Sequence, residues 1–106
     1  MRTKMVCLIY ITCKNKKEAR KIAAHLMKKR LIACANIFPI ESMYWWKGKI
    51  ESNKEAVLIA KSMPKHFDSV RKEVKRIHSY MTPCILKIGA DANPEYGKWI
   101  REEVRE

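Results

Sequence analysis

Apolar and polar residues alternate in the first part of the chain and then change to a helical spacing. From residue 5 to residue 13 both alternating sets are largely apolar, which is typical of a central strand covered on both faces. Asn15 and Glu18 have the spacing of a helix cap. The apolar residues that follow recur at helical intervals, with lysines on the opposite face: Ala19, Ile22, Ala23, Leu26 and Met27.

A long hairpin is predicted between residues 33 and 61. Lys47-Gly48 is the expected point of reversal, since glycine accepts positive φ in a tight turn. Each arm then has about a dozen residues, roughly twice the usual strand length, and Pro39 predicts a bulge or bend partway along one arm. A hairpin of this length either projects into water or lies along a neighbouring subunit.

Three consecutive aromatic residues precede the predicted turn: Tyr44, Trp45 and Trp46. Exposed aromatic area is costly in water, and interfaces between proteins are enriched in tyrosine and tryptophan. We therefore expect these side chains to pack between subunits rather than stack on a ligand or a nucleobase.

The second half of the chain adds two helices and a strand. A helix is predicted after Pro64, a strand over residues 82 to 90, and a last helix with Asn93 as its cap and Pro94 in its first turn. The order β-α-β-β-α-β with an added C-terminal helix predicts an α+β fold, the ferredoxin-like split arrangement with both crossover helices on one face of an antiparallel sheet. The length of 106 residues suits a single domain over residues 1 to 106.

The chain is strongly basic. Its formal charge is +12, and residues 14 to 30 contain eight basic residues and one acidic residue. Such a surface attracts polyanions, although a solvated lysine-rich helix face has the same composition. The aromatic run of an RNA-recognition motif is absent from the sequence, so we expect no specific nucleic-acid partner, and any such binding should be unspecific and sensitive to salt.

The cysteines and the N-terminus suggest a protein of the cytoplasm. Cys7, Cys13, Cys34 and Cys84 contain no C-x-x-C pair, and we interpret them as small apolar residues of strands. The apolar run near the N-terminus is short for a secretory signal, and no stretch is long enough to span a bilayer. We therefore expect a cytoplasmic protein that does not bind membranes.

Several stretches together resemble the CutA family of divalent-cation tolerance proteins. They are "EARKIAAHLMKKR", "LIACANIFPIESMYWWKGKIESNKEAVLIAKS", "HSYMTPCI" and "YGKWI", and they span nearly the whole chain in one register. The resemblance implies a ferredoxin-like fold in a tight homotrimer, with the long hairpins extending around neighbouring subunits and Tyr80 near a subunit junction. It also implies a response to copper and other divalent cations, without a catalytic reaction.

The loop after the second helix departs from the family pattern. The family commonly has His-Pro-Tyr-Glu-x-Pro-Glu here, whereas this chain has His78-Ser79-Tyr80-Met81-Thr82-Pro83-Cys84. Both glutamates are replaced, and a thioether and a thiol suit Cu(I) or other soft ions. We therefore predict a metal site of His78, Cys84 and Met81 that takes copper or another divalent cation. The alternative is that His78 only hydrogen-bonds at the helix end and Cys84 packs in a strand.

The sequence contains few features that would indicate an enzyme or a cofactor-binding protein. There is no nucleophile elbow and no glycine-rich phosphate loop, so we expect no enzyme and no organic cofactor. His25 and His66 are expected to be exposed on helix surfaces. The remaining alternative is a trimeric scaffold or signalling protein that binds an acidic partner through its lysines and has no physiological metal site.

Overall fold

The computed structural model describes residues 4–106. Four strands and three helices follow one another along the chain: β1 (Lys4–Cys13), α1 (Lys16–Lys28), β2 (Cys34–Trp46), β3 (Lys49–Ser62), α2 (Phe67–Ile77), β4 (Ile85–Ala92) and α3 (Pro94–Glu103). A 3₁₀ turn over Pro64–His66 leads into α2. The predicted strand at residues 82 to 90 therefore begins three residues later, because Pro83 and its neighbours form the loop before β4.

The strands form one antiparallel sheet in the order β2-β3-β1-β4. This is the ferredoxin-like α+β fold that the order of elements predicted. β1 lies inside the sheet, between β3 and β4. Its side chains point alternately to the two faces of the sheet. Cys7, Ile9, Ile11 and Cys13 share a core with Ile22 and Leu26 of α1 and with Val70 and Val74 of α2. The two crossover helices therefore cover the same face of the sheet, which we call the helix face.

The other face of the sheet, here the open face, is covered in part by α3. Gly97 and Ile100 of this helix are buried, and the ammonium group of Lys61 in β3 lies 5.3 Å from the centre of the Tyr96 ring. Asn93 occupies the cap position of α3 as predicted, but its side chain donates to Glu95 and makes no capping hydrogen bond to the backbone. Pro94 stands in the first turn.

The hairpin of β2 and β3 is longer than the helices that cover the sheet. Its pairing runs without a shift from Cys34 opposite Lys61 to Trp46 opposite Lys49. The bulge predicted at Pro39 is therefore absent, and the proline is tolerated because β2 is an edge strand. Lys47 and Gly48 both have positive φ, at 50° and 79°, which is the mark of a type I′ turn in a two-residue hairpin.

Two histidines that we expected to be exposed are held by partners. His66 is only 5% exposed, and its Nε2 donates to the carbonyl of Arg105 at 2.6 Å. His25 is half-buried between α1 and α2, where its Nε2 lies 2.6 Å from Oε1 of Glu73. Both predictions were wrong because the spacing along one helix does not show what packs against it. Among residues 4–106, no helix is long and apolar enough to cross a membrane.

Candidate metal centre and exposed hairpin

His78 lies at the end of α2, beside the end of β1. Its Nε2 donates to the carbonyl of Thr12 at 2.8 Å, and the backbone N–H of Tyr80 donates to its Nδ1 at 3.0 Å. A carbonyl oxygen can only accept, so these two bonds define the neutral Nε2–H form of the ring. The imidazole is therefore held in one orientation, with its unprotonated nitrogen on the side of the loop after α2.

The structure brings His78 together with Cys13 and Glu18. One potential ligand atom from each of these residues lies within 4.8 Å of the other two. Cys13 is the last residue of β1 and Glu18 stands in the first turn of α1. Three different elements thus contribute a thiol, a carboxylate and an imidazole to one place on the helix face.

Glu18 also forms hydrogen bonds to the two loops beside this cluster. Its Oε1 accepts the backbone N–H of Lys14, and its Oε2 accepts that of Ser79, each at 2.9 Å. The backbone N–H of Glu18 in turn donates to the Asn15 side chain at 2.8 Å, which confirms the predicted cap. Burial alone would raise the pKa of Glu18, but the hydrogen bonds from Ser79 and Lys14 outweigh it and the pKa is lowered.

The Cys13 thiol is fully buried and strongly favours its protonated form. Burial, together with the nearby charges of Glu18 and Glu55, raises its pKa to about 12. A metal ion bound through this sulfur must therefore displace a proton. A thiolate and an imidazole are ligands that suit copper, zinc and other soft or intermediate ions, so the donor set fits the metals that the sequence suggested.

Met81 and Cys84 lie elsewhere in the same region. They line an open cavity of about 930 Å³ between the loop after α2 and the hairpin, and this cavity extends along the hairpin as far as Trp46. Met81 is 95% exposed. Cys84 is half-buried, and its carbonyl accepts the backbone N–H of Thr12 at 3.4 Å. Thr12 therefore stands between two sets of potential ligands, with the His78 cluster beside it and Cys84 opposite it.

Tyr80 closes one side of this cavity. Its hydroxyl donates a hydrogen bond to Oε2 of Glu55, in β3. Burial and the neighbouring Glu55 carboxylate raise the pKa of Tyr80. The loop that carries His78 is thus tied to the base of the hairpin through one side-chain contact.

The aromatic residues at the end of the hairpin are exposed. Tyr44 and Trp46 are 39% and 53% exposed, and they lie on one face of the hairpin because side chains alternate along a strand. Trp45 is 72% exposed and faces the other way, with Met43 and with Ile50 on the paired strand. Both faces of the hairpin therefore present apolar side chains to solvent in the single chain.

Cys13 and Glu18 were not identified from the sequence as potential metal ligands. Cys13 was interpreted as a core residue of a strand and Glu18 as a capping residue, and the structure confirms both of these roles. The available signal was their separation of only five positions, at the junction where β1 ends and α1 begins. Their nearness to His78, about 60 positions later, depends on how α2 packs and is not visible in any local pattern.

The fold and the cluster define a small ferredoxin-like protein with an extended hairpin and potential metal ligands beside its central strand. The chain belongs to the CutA family, because the family model described as "CutA1 divalent ion tolerance protein" matches residues 7–103.

Named relatives agree with this assignment. The chain is 48% identical over 97 residues to the divalent-cation tolerance protein CutA of Archaeoglobus fulgidus, covering 91% of this chain and 95% of the relative. It is 37% identical over 99 residues to the protein of the same name from Pyrococcus horikoshii, covering 92% and 97%. A solved structure of the Archaeoglobus fulgidus protein, described as periplasmic, superposes with a TM-score of 0.92 at 46% identity, covering 94% of this chain and 99% of that chain.

Proposed function

We propose that this protein acts in divalent-cation tolerance as a homotrimer that binds a metal ion, with copper as the leading ligand and without a catalytic step. The main support is the position of His78, because its ring lies within 4.8 Å of the buried Cys13 thiol and the Glu18 carboxylate. Imidazole and thiolate groups hold Cu(I) well. A copper ion held there would be sequestered as cargo rather than used as a reagent.

Two sets of ligands are open to an ion at His78. On the helix face, Cys13 and Glu18 are already within 4.8 Å of it. On the cavity side, Cys84 and Met81 would supply a thiol and a thioether, as the sequence predicted. Binding through Nδ1 of His78 displaces the N–H of Tyr80, and binding through Nε2 displaces the carbonyl of Thr12. In either case the ion replaces a hydrogen bond that the folded chain already makes.

An anaerobic Cu(I) titration against a competing chelator shows which of the two ligand sets binds the ion. It is made on the protein and on the single variants His78→Ala, Cys13→Ser, Cys84→Ser and Met81→Leu. The control variant is Cys34→Ser, because this half-buried thiol lies at the start of β2 and belongs to neither set. We expect one Cu(I) per chain, lost in His78→Ala and kept in Cys34→Ser.

The cysteine variants then assign the ligand set. Loss in Cys13→Ser with binding kept in Cys84→Ser assigns the helix-face set, and the reverse result assigns the cavity set. Weak, non-stoichiometric binding that none of the variants changes would contradict the metal proposal. The alternative function, a trimeric scaffold that binds an acidic partner, would then become the better account.

The homotrimer is supported by exposed apolar surface in two places. One is the pair of hairpin faces that carry Tyr44, Trp45 and Trp46. The other is the open face of the sheet, where Leu86 and Ile88 of β4 are 52% and 44% exposed. Contiguous apolar area of this kind marks association sites, and packing hairpins and open faces of three copies together would bury both. Tyr80 lines the cavity beside the hairpin together with Tyr44 and Trp46, and we propose that it lies at the subunit junction.

The cellular location is part of the proposal. The cysteine pattern supports a cytoplasmic protein, whereas the Archaeoglobus fulgidus relative is described as periplasmic. Free thiols bear on this choice: the structure has four of them, at Cys7, Cys13, Cys34 and Cys84. Reduced cysteines persist most readily in a reducing compartment. Fractionation of cells that produce a tagged copy of the protein tests this point.

A further inference from the structure

The positive charge of this protein is concentrated on the two-helix layer that covers the helix face. We define this basic layer as residues 14 to 30 and 64 to 77, which include α1 and α2. The layer contains thirteen lysine and arginine residues and only three acidic ones, and so carries ten of the twelve net positive charges of the chain. The hairpin, β1, β4 and α3 together are close to neutral.

The acidic residues of the basic layer do little to reduce its outward charge. Glu18 is buried and turned toward the backbone of Lys14 and Ser79. Glu73 is bound by Arg76 at 2.8 Å and by His25 at 2.6 Å. The pKa of the Glu73 carboxyl is lowered to about 2, chiefly by the hydrogen bond from Arg76 and next by the one from His25. Asp68 is exposed, but it lies in the first turn of α2, at one end of the layer.

The exposed part of the basic layer is almost free of apolar anchors. All eight basic residues of its first segment are exposed. Within the basic layer, which lies in the described part of the chain, Met27 is the one large apolar side chain that is exposed, at 41%. Protein interfaces are depleted in lysine and depend on buried aromatic or apolar anchors. Membrane-surface helices likewise insert aromatic and leucine side chains. Binding to phosphate groups needs only the charge.

We propose that the basic layer binds the phosphate backbone of double-stranded nucleic acid, without preference for sequence. The lysines of α1 and α2 form the contact, and the absence of exposed aromatic residues from the layer leaves no group to stack on bases. A cleft of about 410 Å³ at one end of the layer is lined by Lys14, Lys17 and Lys21 and also by Glu18, so three positive charges and one negative charge surround this concave surface. This inference is independent of the metal site and of the proposed trimer.

The test measures binding of the full chain to fluorescent duplexes of two unrelated sequences, between about 50 and about 200 mM salt. The layer variant carries Lys17→Gln, Lys21→Gln and Lys72→Gln, three exposed residues from both helices. The control variant carries Lys54→Gln, Lys98→Gln and Arg101→Gln, which are exposed residues of β3 and α3. Both variants lose three positive charges, so long-range attraction changes equally.

We expect the layer variant to bind more than about tenfold more weakly, and the slope of log affinity against log salt to become shallower by about 0.9 for each lost phosphate contact. The control variant should keep the wild-type slope, and the two duplexes should bind alike. Equal weakening in both variants, an unchanged slope in the layer variant, or a strong preference for one duplex would overturn the proposal. Tighter binding to polyglutamate or to phosphatidylserine vesicles than to the duplexes would overturn it as well.

Discussion

The hydroxyl of Tyr80 donates a hydrogen bond to Oε2 of Glu55, and this contact joins the loop after α2 to the base of the long hairpin. Glu55 is half-buried, so its carboxylate depends on this partner. The contact links the segment that carries His78 to the segment whose end carries the exposed tryptophans. The Tyr80–Glu55 hydrogen bond therefore lies between the proposed metal site and the proposed subunit contact.

Tyr80→Phe should lower the free energy of unfolding by about 1–2 kcal/mol, because a half-buried carboxylate loses its donor. The matched control is Tyr96→Phe, since the Tyr96 hydroxyl makes only a long contact of 3.4 Å with Lys61. Urea unfolding followed by tryptophan fluorescence measures both variants. Equal stability of Tyr80→Phe and the unmodified protein would show that the bond contributes nothing.

Trp46→Ala should weaken the trimer by about 3–5 kcal/mol per subunit, the range for truncating a buried aromatic side chain. Trp46 is 53% exposed in the single chain, so the loss appears only if a neighbour covers it. Met27→Ala is the control, because Met27 is 41% exposed but lies on the basic layer. Sedimentation equilibrium over a range of protein concentrations distinguishes the two, and a mass unchanged by Trp46→Ala would refute the interface.

Stability should fall between neutral and mildly acidic pH because of His66. Burial is the main cause that lowers its pKa below the usual 6.5, so the folded state resists a proton that the unfolded state accepts. The stabilisation is complete above pH 6.5 and declines as the pH falls toward the folded pKa, by at most about 1.4 kcal/mol per pH unit. His66→Gln keeps a donor for the Arg105 carbonyl and should show a flatter profile over this range in thermal unfolding. Parallel profiles would exclude His66 as the cause.

Copper affinity should rise with pH if Cys13 is a ligand. Its pKa is about 12, so Cu(I) displaces one proton throughout the neutral range, and the apparent affinity gains up to about tenfold per pH unit. Chelator competition at several pH values measures this slope. Cys13→Ser should remove the tight site, whereas Cys34→Ser should leave both affinity and slope unchanged. A pH-independent affinity would exclude a buried thiol as ligand.

Local sequence patterns predicted most of the fold. The period of two in β1, the cap at Asn15 and the turn at Lys47-Gly48 each depend on neighbours within a few residues, and all three are confirmed. The bulge predicted at Pro39 and the exposure predicted for His66 were wrong because both depend on distant partners. Pro39 needs no bulge, since it lies in an edge strand, and His66 is buried by the C-terminal residues.

The candidate site was predicted only in part for the same reason. His78 was recognised from its residue type and its place after α2. Cys13 and Glu18 were assigned to the core and to a cap, and their nearness to His78 requires the packing of α2 beside the end of β1. The apolar hairpin was predictable because three consecutive aromatic residues beside a turn are unusual in any water-exposed strand.

Native mass spectrometry of the reduced protein, before and after one equivalent of Cu(I) per chain, tests whether the chain forms a homotrimer that binds copper. We expect a species with three times the 12.5 kDa mass of the chain that takes up three copper ions. A monomer, or a trimer whose copper content is zero or variable, would contradict it.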